Sequence, residues 1–138
     1  MEIAVLGGGN GSLAAATDLS SNGHNVRYWR INSNASSVLK SAQNIMRLKD
    51  FNGIKEIKIS KVTSSISEAI KGAELIVCPI PATGQLDIAN LMAPHLENQQ
   101  VVLLPPGSFG SWIMAKSLDM TKNRANVSFA ESGTLPYL

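Results

Sequence analysis

Short unbroken apolar runs alternate along the chain with longer stretches in which apolar residues recur at helical spacing. Ile3 to Leu6 runs without a polar break and stops at Gly7-Gly8-Gly9, which predicts a strand buried on both faces and a tight turn. Ser12 to Ser21 follows with Leu13, Ala14, Ala15, Ala16 and Leu19, good helix formers whose small side chains permit close approach to a sheet. Asn22-Gly23 ends that helix, and Val26 to Trp29 reads as the second strand. A polar connection from Arg30 to Ser37 then leads into a helix predicted over Val38 to Leu48. Ile54, Ile57, Ile59 and Val62, with lysines between them, predict one or two strands with a wet face, at a sheet edge or carrying a bulge. Beyond them the pattern predicts a short helix at Ser67 to Lys71, a buried strand at Leu75 to Cys78 and a helix at Gln85 to Leu96, interrupted by Pro94. Val101 to Leu104 is a further strand closed by Pro105-Pro106-Gly107, Trp112 to Leu118 a helix, and Val127 to Ala130 a last strand.

Buried strands alternating with helices imply a mostly parallel sheet covered on both faces, a doubly wound, Rossmann-like α/β fold. One domain is expected over residues 1–138. Ligands of such sheets bind beyond the carboxyl ends of the strands. Here those ends are Gly7 to Ser12, Arg30 to Asn34, Pro79 to Thr83, Pro105 to Gly110 and Glu131 to Pro136.

Composition narrows the classes. With 44% hydrophobic and 16% charged residues the chain is an ordinary globular one, and a length of 138 residues supplies a core without disulfide or metal. The single cysteine, Cys78, sits in an apolar run and reads as a buried strand residue, which suits a reducing compartment. Leu75 to Pro81 is too short to span a bilayer, and Met1-Glu2-Ile3-Ala4-Val5 lacks the features of a secretory signal, so a cytoplasmic location and no membrane partner are expected. A net charge of +2 offers little to nucleic acid, and Lys40, Arg47, Lys49, Lys55, Lys58 and Lys61 read as a solvated face diluted by Asp50 and Glu56.

The strongest chemical signal is Gly7-Gly8-Gly9-Asn10-Gly11-Ser12 between a strand and a helix. Gly7 suits the tight turn, Gly9 lets the backbone reach a pyrophosphate, and the N–H groups and positive dipole end of the following helix attract phosphate. Ser12 stands where glycine or alanine normally lets helix and strand touch, so its hydroxyl needs a partner, expected at a backbone carbonyl one turn away. A nucleoside triphosphate site is excluded by the lack of Gly-Lys-Ser/Thr.

The end of the second strand selects the dinucleotide. An NAD site usually places Asp or Glu there to bind the ribose 2′-OH, about 20 residues beyond the glycines. This chain has Arg30, which can pair with a 2′-phosphate, and Asn32, Ser33 and Asn34 add donors, so NADP is expected over NAD. Pro81 and Gly107, in rigid turns after strands, are expected to line the cofactor. His24 and His95 read as structural, and no cluster of metal ligands or triad arrangement appears.

Taken together, Ile3-Ala4-Val5-Leu6-Gly7-Gly8-Gly9-Asn10-Gly11, Gly23-His24-Asn25-Val26, Leu103-Leu104-Pro105-Pro106-Gly107 and Glu131-Ser132-Gly133-Thr134-Leu135-Pro136-Tyr137 resemble the octopine/nopaline (opine) dehydrogenase family over the whole chain. The glycine pattern is shared with ketopantoate reductase and glycerol-3-phosphate dehydrogenase, whereas Glu-X-X-Thr-Leu-Pro-Tyr is more distinctive. The resemblance implies an N-terminal NAD(P) domain, followed in the family by a helical domain that carries a catalytic histidine and most of the substrate site. That helical domain is absent from these residues. The reaction implied is the joining of an amino acid to a 2-oxo acid by reduction of an imine. Glu131 is the local candidate for a supporting catalytic role, and the chain alone is expected to bind cofactor without turnover. A ketopantoate-type or other small-metabolite reductase, and a dinucleotide-sensing module without catalysis, stay open as alternatives, as does a homo-oligomer.

Overall fold

The computed structural model describes residues 1–50 and 53–136. Among the described residues five α-helices and eight strands follow in the order β1 (Glu2–Leu6), α1 (Asn10–Ser21), β2 (Asn25–Trp29), α2 (Ser33–Ser41), β3 (Ile45–Asp50), β4 (Gly53–Lys58), β5 (Lys61–Thr63), α3 (Ile66–Ile70), β6 (Leu75–Val77), α4 (Ala82–Met92), β7 (Val101–Leu104), α5 (Gly110–Asp119) and β8 (Ser128–Glu131). A single turn of 3-10 helix, Ala93–His95, extends α4 where Pro94 interrupts it.

Six strands pair in the order β5-β2-β1-β6-β7-β8, every pairing parallel. Successive strands step outward from β1 to β2 and β5, and the chain then returns to β6 on the other side of β1. This is the reversal of the doubly wound fold, and it opens a crevice at the carboxyl ends of β1 and β6. The fold read from the alternation of apolar runs is therefore the one found.

Alternation of side chains across the pleat divides the core into two layers. Ala4, Leu6, Ile76, Val102 and Leu104 face α3, α4 and α5, where they meet Ile88, Met92, Met114 and Leu118. Ile3, Val5, Val26, Tyr28 and Val62 face the opposite way, onto Ala15 and Ala16 of α1. The small residues of α1 let it lie close to the sheet, as its composition predicted. Cys78, just past β6, is fully buried, and burial pushes its thiol up to about 12.

One element departs from the sequence reading. The helix expected over Val38 to Leu48 occupies only Ser33–Ser41; Gln43 and Asn44 then turn with φ of 55° and 59°, and Ile45–Asp50 forms β3. β3 pairs antiparallel with β4 as a separate two-stranded ribbon packed on α1, with Met46 against the Thr17 hydroxyl. The expected edge strand with a wet face is thus two things: this ribbon, and β5 at the sheet edge.

Candidate functional site

The carboxyl edge gathers the turns after β1, β2, β6, β7 and β8. At the first, Gly7 has φ of 136° and donates its N–H to the Trp29 carbonyl at 3.1 Å. A Cβ on Gly7 would lie 2.3 Å from Ser12 Oγ, so no other residue fits. Ser12 is fully buried, and its hydroxyl points to the Pro79 carbonyl at 3.5 Å, not to a carbonyl one turn away as expected. The reason is position: Ser12 faces the sheet, where the end of β6 lies within reach. Its hydroxyl sits between the glycine turn and the turn after β6.

Gly9 caps α1 with extended backbone, φ −87° and ψ 177°, and a Cβ built there would meet nothing within 4 Å. It borders open space. The N–H groups of Asn10 and Gly11 come too early in α1 to have helical partners, and the first turn contains no acidic side chain. Leu135, from the segment after β8, closes the inner side of this loop by packing on Gly11. The result is a cradle of unpaired donors, open on its outer side, whose shape and polarity fit a pyrophosphate.

At the end of β2, Arg30 bends back over the glycine turn. Its Nη2 donates to the Gly8 carbonyl at 3.2 Å, while its Nε is buried without a partner. Asn32 accepts the Asn34 N–H at 2.9 Å and so caps α2; the Ser33 side chain lies outside the described residues, as does Tyr137. Tyr28, one pleat below Arg30 on the same side of the sheet, is buried and its phenol is raised by that burial, partly offset by the Arg30 charge. Between the ends of β2 and β6 lies a cleft of about 230 Å³ lined by Gly7, Gly8, Trp29, Ile31, Ile80, Pro81, Gly84, Asp87 and Ile88. Pro81 is therefore on the wall of the site, and Asp87 is a member that the sequence reading missed. Its signal was its spacing from Gly84 and Ile88, which puts all three on one face of α4.

The turn after β7 is built differently. Gly107 does not line this cleft; a Cβ there would lie 2.1 Å from Glu131 Cβ, so the glycine makes room for Glu131. Glu131 accepts the N–H of Ser111 at 3.0 Å and of Phe109 at 3.3 Å, the start of α5. The Ser111 amide above all holds its carboxyl below the usual range. Glu131 is thus an ionised acceptor and no proton donor. Gln85, buried in the first turn of α4 and also missed from sequence, donates Nε2 to the Gly107 carbonyl at 2.8 Å and ties this turn to α4. His24 and His95 both lie toward the amino ends of the strands, away from the cleft. Among the described residues no group of three or more His, Cys, Asp or Glu is placed to hold a metal, and no helix is long and apolar enough to cross a membrane.

A parallel sheet with this reversal, a glycine turn and an open helix N-terminus at the reversal define a dinucleotide-binding domain of NAD(P)-dependent dehydrogenases. Residues 2–107 match the family model of the NAD-dependent glycerol-3-phosphate dehydrogenase N-terminus, and the chain belongs to that family. Its sequence is 27% identical to opine dehydrogenase of Arthrobacter sp. strain 1C over 140 residues, 96% of this chain and 36% of that protein. It is 33% identical to glycerol-3-phosphate dehydrogenase [NAD(P)+] of Pseudomonas entomophila over 96 residues, 69% of this chain and 26% of that protein. The fold matches an octopine dehydrogenase solved with NADH and agmatine, with a TM-score of 0.82 at 21% identity, over 99% of this chain and 36% of that one. The chain thus spans about a third of the length of these proteins.

Proposed function

We propose that this chain is the cofactor half of an opine-type dehydrogenase that prefers NADP(H) and joins an amino acid to a 2-oxo acid reductively. The observation that carries the reading is the extent of the similarity. The opine dehydrogenase aligns over 96% of the chain, a span that must at least reach the segment from Glu131 to Pro136, whereas the glycerol-3-phosphate dehydrogenase aligns over 69%. That segment belongs to the site, because Leu135 packs on Gly11 of the phosphate cradle.

Within the cradle, Gly7, Gly9, Asn10, Gly11 and Ser12 would hold the pyrophosphate, with the Asn10 and Gly11 amides as donors. When bound, the dinucleotide supplies or takes up hydride. Arg30 and Asn32 would meet the adenosine ribose and its 2′-phosphate, and the buried, unpartnered Nε of Arg30 is a donor still to be satisfied. Gly107 and Glu131 act one step back, shaping the turn after β7. Among the polar side chains at that end of the cleft, Ser108, Glu131 and Thr134, none is a proton donor suited to imine reduction, so the chain alone binds without turnover. A glycerol-3-phosphate-type substrate is the second reading, favoured by the family model over residues 2–107.

Calorimetric titration tests the cofactor assignment. NADPH is expected to bind more tightly than NADH by about tenfold, the scale of one charge-assisted hydrogen bond, and Arg30→Asp is expected to reverse the order. Equal affinities that the substitution leaves unchanged would remove Arg30 from the site. The substrate class is tested by amide chemical shifts at saturating NADPH. An amino acid with pyruvate should move the resonances of Ser132 to Leu135; movement with glycerol 3-phosphate instead would favour the second reading.

A further inference from the structure

We infer that Asp87 reads the base of the dinucleotide, selecting a purine that carries an amino group at position 6 over one that carries a carbonyl there. The inference rests on the cofactor reading above and concerns the adenosine end of that site. The ribose is expected at Arg30, so the base joined to it falls in the adjoining cleft between the ends of β2 and β6. The walls of that cleft are Trp29, Ile31, Ile80, Pro81 and Ile88, which offer a flat purine apolar faces and nothing for its polar edge. One charged side chain lines it, Asp87.

Three features make Asp87 suited to that edge. α4 begins at Ala82, directly after Pro81, so Gly84, Asp87 and Ile88 lie on the side of its first two turns that faces the cleft. A Cβ on Gly84 would meet nothing within 4 Å, which leaves the approach to Asp87 unobstructed. Asp87 itself makes no hydrogen bond or ion pair among the described residues, although other carboxylates at the sheet ends do, Glu74 with the Glu2 amide, Glu97 with the Gly72 amide and Glu131 with two amides. Its carboxylate is exposed at the middle of α4.

An ionised carboxylate only accepts hydrogen bonds. The 6-amino group of adenine donates to a carboxylate that faces position 6, whereas hypoxanthine turns a second acceptor to it there and carries a donor only at the neighbouring N1. The two bases differ at that position and keep nearly the same shape, so apolar walls alone would not separate them. Asp87 would otherwise be a solvated helix carboxylate, which predicts no discrimination.

The test is calorimetric titration of the 138-residue chain with NADPH and with reduced nicotinamide hypoxanthine dinucleotide phosphate. The adenine dinucleotide is expected to bind at least about tenfold more tightly. Asp87→Ala and Asp87→Asn should each bring the ratio close to one, the first by removing the acceptor and the second because an amide can turn either its oxygen or its nitrogen to the base. Both substitutions are on the surface, and circular dichroism checks that the fold is kept. A ratio near one in the unsubstituted chain, or a preference that survives both substitutions, overturns the role of Asp87 and leaves the cofactor reading standing. Failure to bind either dinucleotide overturns that reading and this inference with it.

Discussion

The N-termini of α1 and α5 both follow a parallel strand and a glycine turn, yet α1 leaves its first amides unpaired while α5 has its amides occupied by Glu131. At α1 the glycine nearest the helix borders empty space; at α5 the would-be Cβ of Gly107 collides with Glu131. Both ends carry the same partial positive charge. The anion that completes α5 is supplied by the last strand of the chain itself, whereas the anion that completes α1 must come from outside. A glycine before a helix is therefore no evidence of a ligand site until one knows whether the protein already fills it.

Substitution of the two glycines separates these roles most sharply. Gly9→Val should reduce dinucleotide affinity by about a hundredfold or more, near 3 kcal/mol, because its side chain would stand where the pyrophosphate goes. Its backbone angles suit any residue and its Cβ meets no protein atom, so the thermal midpoint should stay close to that of the parent. Retained affinity in a folded Gly9→Val chain would mean that the glycines only make a turn. Gly107→Ala should do the reverse. The methyl group must displace the Glu131 side chain at its root, and the cost of such overpacking is about 1–3 kcal/mol, read as a lower urea midpoint. Loss of cofactor affinity at full stability in Gly107→Ala would instead put this glycine on the cofactor.

The same contrast explains how far the sequence could be read. The strands β6 and β7 show as unbroken apolar runs, β1 as one from Ile3 onward and β2 as one broken by Arg27, and the helices between them show as small or periodic apolar residues. Parallel order then follows from alternation. The Val38 to Leu48 stretch misled because Val38, Leu39, Ile45, Met46 and Leu48 fit a helical period and nothing local opposes it; β3 exists because residues 53–58 lie beside it and pair with it. Gln43 and Asn44 adopt positive φ, and only asparagine hints at that in a sequence. In the site, the cradle at Gly7 to Ser12 is local and legible. Ser12 to Pro79, Gln85 to Gly107 and Glu131 to Ser111 are contacts between distant segments, set by strand order and invisible to spacing rules.

The smallest expected effect concerns Glu131→Gln, which keeps the shape of the α5 cap and removes its charge. An amide oxygen can accept from Ser111 or Phe109 but offers less to the helix end than a carboxylate that accepts from both. The substitution should therefore lower stability by less than Gly107→Ala does, and the deficit should depend on pH. The Glu131 pKa is lowered in the folded chain, chiefly by the Ser111 amide. A depressed carboxyl contributes stability that is complete above its unfolded pKa and is lost as pH falls through the folded one. At neutral pH the parent should thus have the higher urea midpoint, and the gap between the two proteins should close as acidification protonates Glu131 in the folded chain. Glutamine does not titrate, so the closing of the gap isolates the charge of Glu131 from its packing against Gly107. A gap that stays constant on acidification would mean that the cap acts by shape alone, and the contrast between an open and a filled helix end would then rest on geometry without charge.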